Sequence, residues 1–381
     1  MTINYAQKSL SLHRKMGGKI QVASKVGKIK SKDDLSILYT PGVAAVSTHL
    51  ANNPKDAGKY SIKGNTVAVI SDGSAVLGLG NIGPLGALPV MEGKALLFKE
   101  FAGVDAFPLV LATQDSEEII QIIKAVSPGF GGINLEDISA PRCFEIEDRL
   151  TRELDIPVMH DDQHGTAIVV LAALINSVKL AQKNLGANIV ISGAGAAGTA
   201  ITHLLHKYGF KNIVVVDSKG IISKTRTDLN LYKKDLLKFT NTKNISGVLQ
   251  DAIAGADVFI GVSAPNIVTQ EMIETMAHKP VVFAMANPIP EINPQTAKRA
   301  GAFIVGTGRS DYPNQINNVL AFPGFFRGLL DKHVKKITDD LKINAAKAIA
   351  NCVKEKEMTR EFIIPSALDR RVAKAVASVI R

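Results

Sequence analysis

Apolar and polar positions along the chain fall into two regimes. From about residue 188 a short apolar run recurs five times: NIVIS (188–192), NIVVVD (212–217), DVFIGVS (257–263), PVVFAMANP (280–288) and AFIVGTG (302–308). Each run is rich in β-branched residues and continuous rather than alternating, which predicts strands covered on both faces. Helical stretches separate them. Alternation of this kind predicts a doubly wound parallel sheet, placed at about residues 165–310.

The part before it, residues 1–164, reads as a different α/β unit. It has strands at VAVIS (67–71) and AFPLVLA (106–112) and Gly/Pro-rich turns around 72–89 and 128–132. After 311 the pattern becomes helical: LKINAAKAIANCVKEKE (341–357) repeats apolar residues every three to four positions. The segment 311–381 is therefore expected to pack back on the cleft between the domains, or on a partner subunit. The predicted class is α/β, with two domains and a helical tail.

Composition narrows the functional classes. A chain of 381 residues is too long for one ordinary core, and 46% hydrophobic content with 5% aromatics and no Trp describes a globular protein. The formal charge of +10 is scattered among acids without a basic run, which argues against nucleic acid and for attraction of anionic metabolites. Cys143 and Cys352 fall outside any CxxC pattern, so neither a disulfide framework nor a thiolate metal site is indicated. The first residues lack the apolar core of a signal peptide, and no run approaches the roughly 20 apolar residues of a membrane span. A cytoplasmic protein without membrane attachment is expected.

Two segments match Gly-x-Gly-x-x-Gly, and context separates them. The segment Gly193-Ala194-Gly195-Ala196-Ala197-Gly198 follows NIVIS, opens the helix-like TAITHLLHKYG, and leads to a strand closed by Asp217, 24 residues after Gly193. That is a complete βαβ unit of Rossmann type, in which backbone N–H groups approach a pyrophosphate and the acid accepts from ribose hydroxyls. The other match, Gly78 to Gly83, is separated from VAVIS by DGSAV and followed by Pro84 and Pro89, with no acid at a comparable distance. It reads as a close-packed turn near the cleft. Asp217 favours NAD, while Lys219 and Lys224 leave NADP possible.

The acids before the cofactor domain form two adjacent pairs, Glu136-Asp137 and Asp161-Asp162, each beside turn residues. An isolated pair would most simply cap a helix. Two pairs of oxygen donors without Cys favour Mg2+ or Mn2+ over zinc. His160 and His164 lack HExxH spacing, and a structural role suits each equally. Tyr39, Lys94, Asn287 and the pair Asn317-Asn318 lie in apolar surroundings, where a polar group is costly to bury without partners. A Lys there either snorkels or, beside a divalent cation, has a lowered pKa and serves as a base.

The strings YTPGVA, SDGSAVLGLGNIGPLGALPVMEGKALLFKEFAGVDAFP, FGGINLEDISAPRCFEIE, IPVMHDDQHGTA, GAGAAG and GRSDYPNQINNVLAFPG together resemble the malic enzyme family in its short bacterial form, from about residue 35 to 330. The resemblance implies oxidative decarboxylation of L-malate to pyruvate and CO2 with reduction of NAD or NADP, and decarboxylation of oxaloacetate. It implies Tyr39 as general acid, Lys94 as general base, and Glu136, Asp137 and Asp162 as ligands of Mg2+ or Mn2+, with Asp161 supporting the catalytic network. Asn287 and Asn318 correspond to substrate-binding asparagines, Asn287 lying near the cofactor as well. A homodimer or higher homo-oligomer is expected.

One departure matters: larger members carry an Arg just before the LGLG turn that grips the substrate carboxylate, whereas this chain has Ser74-Ala75. Anchoring is then expected through Ser74 or backbone N–H groups. The sequence also lacks the phosphotransacetylase-like extension of some bacterial members, so regulation through such a domain is not expected. Two other readings share the cofactor domain: a different metal-dependent hydroxy-acid dehydrogenase, and a non-catalytic nucleotide sensor.

Overall fold

The computed structural model of the protein describes residues 5–76 and 78–381. Four short helices come first, α1 (Tyr5–Met16), α2 (Lys32–Leu38), α3 (Val43–Asn52) and α4 (Ala57–Tyr60), and none of them buries a residue. The first sheet follows, with β1 (Thr66–Ser71), β2 (Asp105–Val110), β3 (Gly132–Leu135) and β4 (Val158–His160) in the order β2-β1-β3-β4, every pair parallel. Three crossover helices connect these strands: α5 (Gly83–Ala102), α6 (Ser116–Val126) and α7 (Arg142–Glu153).

The second sheet contains β5 (Ile189–Ser192), β6 (Ile213–Asp217), β7 (Gly220–Ile221), β8 (Val258–Gly261), β9 (Val281–Ala284) and β10 (Ile304–Thr307), in the order β10-β9-β8-β5-β6-β7. All pairs are parallel except the short β7 against β6. The order reverses beside β5, the switch point at which doubly wound sheets bind ligands. Each of the five apolar runs from 188 onward contains one of these strands, and the continuous burial of β5, β8, β9 and β10 explains why their pattern does not alternate.

One helix joins the sheets. α8 (Asp161–Leu180) begins directly after β4 and runs through residue 164, so the change of domain falls inside a continuous helix. Residues Ala167 to Leu174 on it are essentially inaccessible to water. By length and composition α8 could cross a membrane, which the sequence pattern did not suggest, but 67% of its apolar window is buried inside the protein. It packs against α9 (Ala196–Tyr208) and α15 (Asp339–Asn351), and its apolar character is that of a core helix. The second sheet also carries α10 (Leu231–Leu236), α11 (Leu249–Ile253), α12 (Gln270–Glu274) and α13 (Pro294–Arg299).

The tail forms α14 (Phe322–Asp331), α15 and α16 (Arg370–Ser378), with α14 against α5 and α15 against α8. A single apolar cluster consequently runs from Val67 and Phe98 in the first unit through α8 to Phe322, Phe325 and Ile380. Burial on this scale, at about 25 cal/mol per Å2 of apolar surface, welds the two sheets through α8 and the tail.

Candidate active site

Parallel strands send their C-terminal ends to one edge of a sheet, and the loops leaving those ends collect the polar residues. Glu136 and Asp137 follow β3, Asp161 and Asp162 follow β4 at the start of α8, and Asp72 to Ser74 follow β1. Two adjacent strands, β3 and β4, thus deliver the predicted acids to one rim, and β1 brings Asp72 and Ser74 to the same side. Lys94 reaches it from the middle of α5.

Lys94 is only 7% exposed, and its Nζ lies 2.8 Å from Glu136 Oε1 and 2.5 Å from Asp161 Oδ2. The ammonium also stands over the Phe322 ring, 4.2 Å from its centroid. Burial by itself lowers the Lys94 pKa, but the charges of Asp161 and Glu136 outweigh it and hold the group above the ordinary lysine value. The lowered pKa expected from the sequence is that of a Lys beside a divalent cation; here two carboxylates face the ammonium instead. Burial raises Glu136, and raises Asp161 and Asp162 to about 6, the neighbouring carboxylates adding to the effect.

Supporting contacts fix this arrangement. Asp137 adopts a left-handed backbone, φ +54°, and its N–H donates to Asp162 Oδ2 at 2.7 Å, which ties the two acid pairs together. The Asn134 amide donates to Glu136 Oε2 at 2.8 Å. Asp161 Oδ1 is buried without a hydrogen-bond partner among the described residues and lies against Gly165, where any larger residue would collide with it. Asn318 borders the same point, since a Cβ on Gly165 would come within 3.3 Å of Asn318 Cβ. Behind the rim, Glu147 on α7 accepts the His160 N–H at 2.7 Å, Gln163 Nε2 at 2.9 Å and a bond with His164 Nε2 at 3.0 Å. Burial would raise Glu147, but His164 and these bonds hold it below the usual range. His160 and His164 thus belong to the turn that carries the acids.

The carboxylates outnumber the cations here: Glu136 and Asp161 flank the Lys94 ammonium, and Asp137 and Asp162 directly follow them in the chain. A donor set of this kind, hard oxygens in excess of charge, suits a divalent cation such as Mg2+ or Mn2+. Among the described residues no three His, Cys, Asp or Glu side chains converge on one ion position as they stand. The ion pairs account for this, because Glu136 turns toward Lys94 while Asp162 accepts the Asp137 N–H.

The glycine turn at 193–198 lies between β5 and α9, as its spacing predicts. Gly193 has φ +116°, and a Cβ on Gly198 would strike Gly193 O, so both need glycine for the turn itself. Gly195 differs: a Cβ there would meet nothing within 4 Å, leaving open approach to the start of α9. Ala196 packs against the apolar core of the first unit, and Ala197 against that of the second. Asp217 ends β6, but its carboxylate is already engaged, with Arg226 Nη1 at 2.7 Å, Lys233 Nζ at 2.6 Å and the Lys219 N–H at 2.9 Å. Lys219 Nζ pairs with Asp228 at 3.0 Å instead. The Asp217 carboxyl is raised by burial, yet these bonds hold it below the usual range.

The first glycine match also stands between a strand and a helix, contrary to the weight its prolines carried in the sequence. Pro84 fits the first turn of α5, and β1, α5 and β2 form a parallel βαβ unit. What distinguishes the turn is its neighbour: a Cβ on Gly78 would strike Asn287 O, so it closes against the loop after β9. Asn287 itself is exposed and stands beside Gly308 at the end of β10.

Two predicted residues stand apart from the expected arrangement. Tyr39 ends α2 with 66% of its surface exposed, on the arm that buries nothing. Ser74 is buried, and its hydroxyl donates to Asp72 Oδ1 at 2.5 Å while accepting from the Ser139 N–H and Arg142 Nη2. Its donor and both acceptor positions are spent inside the loop, so it orients Arg142. Arg142, Asn134, Glu147, Phe322, Arg226 and Lys233 were not legible from spacing; Arg142 and Phe322 reach their partners across the fold, while Asn134 meets Glu136 only two residues on.

Known proteins resemble the chain along nearly its whole length. The profile of the malic enzyme N-terminal domain matches residues 18–151, and that of the malic enzyme NAD binding domain matches residues 163–380. An NAD-dependent malic enzyme of Geobacillus stearothermophilus is 56% identical over 99% of this chain and 78% of its own length. A bifunctional malic/malolactic enzyme of Bacillus subtilis is 53% identical over 98% of this chain and 92% of its own. The crystal structure of an NAD-dependent malic enzyme from Thermotoga maritima superimposes with a TM-score of 0.94 at 52% identity, covering 98% of both chains.

Proposed function

The chain belongs to the malic enzyme family, and from that premise we propose that it oxidises and decarboxylates L-malate to pyruvate and CO2 while reducing a nicotinamide dinucleotide. The observation that carries the reading is buried Lys94 held between Glu136 and Asp161 at the rim of one sheet, with a dinucleotide turn at the rim of the other. Residues 1–164 are taken as the substrate and metal unit, 165–310 as the dinucleotide domain and 311–381 as the segment that packs back on them.

Glu136, Asp137 and Asp162 would hold a divalent cation, Mg2+ or Mn2+, which supplies a Lewis acid for the substrate's hydroxyl and carboxylate oxygens. With Glu136 engaged there, only Asp161 still favours the ammonium of Lys94. As a buried amine, Lys94 accepts the C2 hydroxyl proton while hydride leaves C2 for the nicotinamide, and Asp161 can take that proton onward. Loss of the C4 carboxylate leaves an enolate, and Tyr39 is proposed to protonate C3. Oxaloacetate supplied directly would enter at the decarboxylation step. Asn287 and Asn318 are assigned to the substrate, Gly193, Gly195, Ala196, Ala197, Gly198 and Asn287 to the dinucleotide, and Asp217 to its ribose with NAD preferred over NADP.

Self-association would complete the surroundings of Tyr39. Leu10, Met16, Ile37, Leu38, Tyr39 and Val46 all lie exposed on the N-terminal arm, and a second copy covering them would take the Tyr39 hydroxyl out of water. A homodimer or higher homo-oligomer in the cytoplasm is proposed, and light scattering of the purified protein measures it. Stoichiometry tests the function: NADH, pyruvate and CO2 should appear one to one to one from L-malate. Dinucleotide reduction without CO2 would leave a plain hydroxy-acid dehydrogenase, and binding without turnover a nucleotide sensor.

A further inference from the structure

The rim carries one cation to which none of the roles above gives a task. Arg142 opens α7, and its Nη2 donates to Asp72 Oδ2 at 2.7 Å and to Ser74 Oγ at 3.0 Å. Asp72 is inaccessible to water and Ser74 nearly so, and Ser74 is itself locked to Asp72 and to the Ser139 N–H. One terminal nitrogen of the guanidinium is therefore fixed by a rigid, buried anchor. Nη1 takes part in neither bond. Nε is sealed from water and has no hydrogen-bond partner among the described residues.

A buried donor on a charged group is normally paired, and one left without an acceptor marks a place where an anion is missing from the account. The side chain remains 28% exposed, so it can be reached from outside. Its surroundings place it beside the catalytic acids: the Ala75 N–H next to Ser74 donates to Asp137 O at 2.9 Å, and Asp137 directly follows Glu136. That neighbourhood is strongly acidic and repels a dicarboxylate. Holding one there calls for a cation whose donors are not all spent on the acids, with a planar fork suited to two carboxylate oxygens.

We propose that Arg142 is the residue that binds a carboxylate of the substrate, a proposal that rests on the malate reading above. The carboxylate is the one on C1. A cation held against C4 would stabilise the charge that must be lost as CO2, whereas the C1 carboxylate keeps its charge from malate to pyruvate, so gripping it does not oppose the reaction. Asp72 and Ser74 are positioning residues: they hold Nη2 and leave the rest of the guanidinium to the ligand.

The test uses the full-length protein with Mg2+ present. Arg142→Gln should raise the KM for L-malate about 10- to 100-fold, the effect of losing one charge-assisted pair. It should raise the inhibition constant of oxalate by a similar factor, since oxalate has no leaving carboxylate. Dinucleotide affinity, read by fluorescence titration, should stay within about twofold of wild type, and Arg142→Lys should recover part of the malate affinity. A malate KM unchanged in both variants overturns the proposal. So does a parallel loss of malate affinity, dinucleotide affinity and melting temperature in both, which would reduce Arg142 to a structural ion pair. Absence of malate turnover in the wild type would instead sink the functional reading itself, and this proposal with it.

Discussion

Each parallel sheet ends in a knot of carboxylates and cations, and the two knots behave in opposite ways. At the first rim Glu136, Asp161 and Asp162 crowd one buried ammonium, and all three carboxyls are raised. At the second rim Asp217 sits between Arg226 and Lys233, and its carboxyl is lowered. Both acids are short of water, so burial alone does not separate them. The balance of charge does: at the first rim five acids, Asp72, Glu136, Asp137, Asp161 and Asp162, gather around two cations, Lys94 and Arg142, whereas at the second three cations, Arg226, Lys233 and Lys219, serve the two carboxylates of Asp217 and Asp228. The first knot stays short of positive charge and suits a metal, while the second is already neutralised and suits a sugar hydroxyl or a phosphate.

Removing the one ammonium should break this comparison most severely. Lys94→Ala leaves Glu136 and Asp161 without their partner and malate oxidation without its base, and kcat should fall by about 10²- to 10⁴-fold, the usual range for loss of a general base. Steady-state rates with saturating malate measure it, and a small amine in the buffer should return part of the loss. A variant that folds and keeps a third of wild-type kcat would show that the buried Lys94 is only a structural counterion.

The two glycine turns sharpen the contrast at the next level of effect. Gly195→Val points a side chain into open space at the start of α9, so the fold should survive while dinucleotide affinity falls by about tenfold or more. Gly80 also has open space but a left-handed backbone, φ +78°, so Gly80→Val should cost about 1–2 kcal/mol of stability and leave dinucleotide affinity intact. Fluorescence titration and thermal melts separate the pair. Loss of cofactor by the Gly80 variant alone would invert the assignment of the two turns.

The cations around Asp217 give a smaller effect. With Lys233→Ala, Asp217 keeps only Arg226, its charge is less screened, and a 2′-phosphate should be repelled more than a free hydroxyl. The ratio of kcat/KM for NADP over NAD should drop about tenfold, the value of one charge-assisted contact. An unchanged ratio would mean that the two cations do not face the ribose.

What the sequence made legible follows the same physics. The strands of the second sheet are buried on both faces, so β5, β6, β8, β9 and β10 appear as unbroken apolar runs. β3 and β4 are no shorter than most of these by more than a residue, but Asn134 interrupts the apolar run of the one and His160 closes the other, so neither stands out as an unbroken run. Lys94 and the acid pairs were visible because charges inside apolar strings are anomalous locally. Arg142 was not, since its meaning lies in Asp72, 70 residues earlier. Glu147 carries no local signal among the acids of RCFEIEDRLTRE, since its partners His160, Gln163 and His164 lie 13, 16 and 17 residues further on. Tyr39 was visible by its apolar neighbours in the sequence, but it is exposed among the described residues, and its role comes from the resemblance alone.

The smallest predicted effect tests the charge shortage directly. Asp161 and Asp162 have an ordinary carboxyl value of 3.8 and stand at about 6 in the folded protein. The folded state then binds their protons more tightly than the unfolded chain does, so their contribution to stability is complete below about pH 4 and is lost as pH rises through 6. Lys94 stays protonated throughout this window and does not change the sign. Without divalent metal, the melting temperature should decline across pH 4–6 relative to a variant with both aspartates replaced by Asn. A divalent cation that binds the ionised cluster reverses the decline, because binding to the folded state alone adds stability by mass action. Saturating Mg2+ should raise the melting temperature by several degrees at pH 7.5 and hardly at all at pH 5, a shift equivalent to about 1–3 kcal/mol. Differential scanning calorimetry with K+ at matched ionic strength separates binding from screening. An equal shift at both pH values, or none at either, would show that the rim does not take up a cation through its carboxylates.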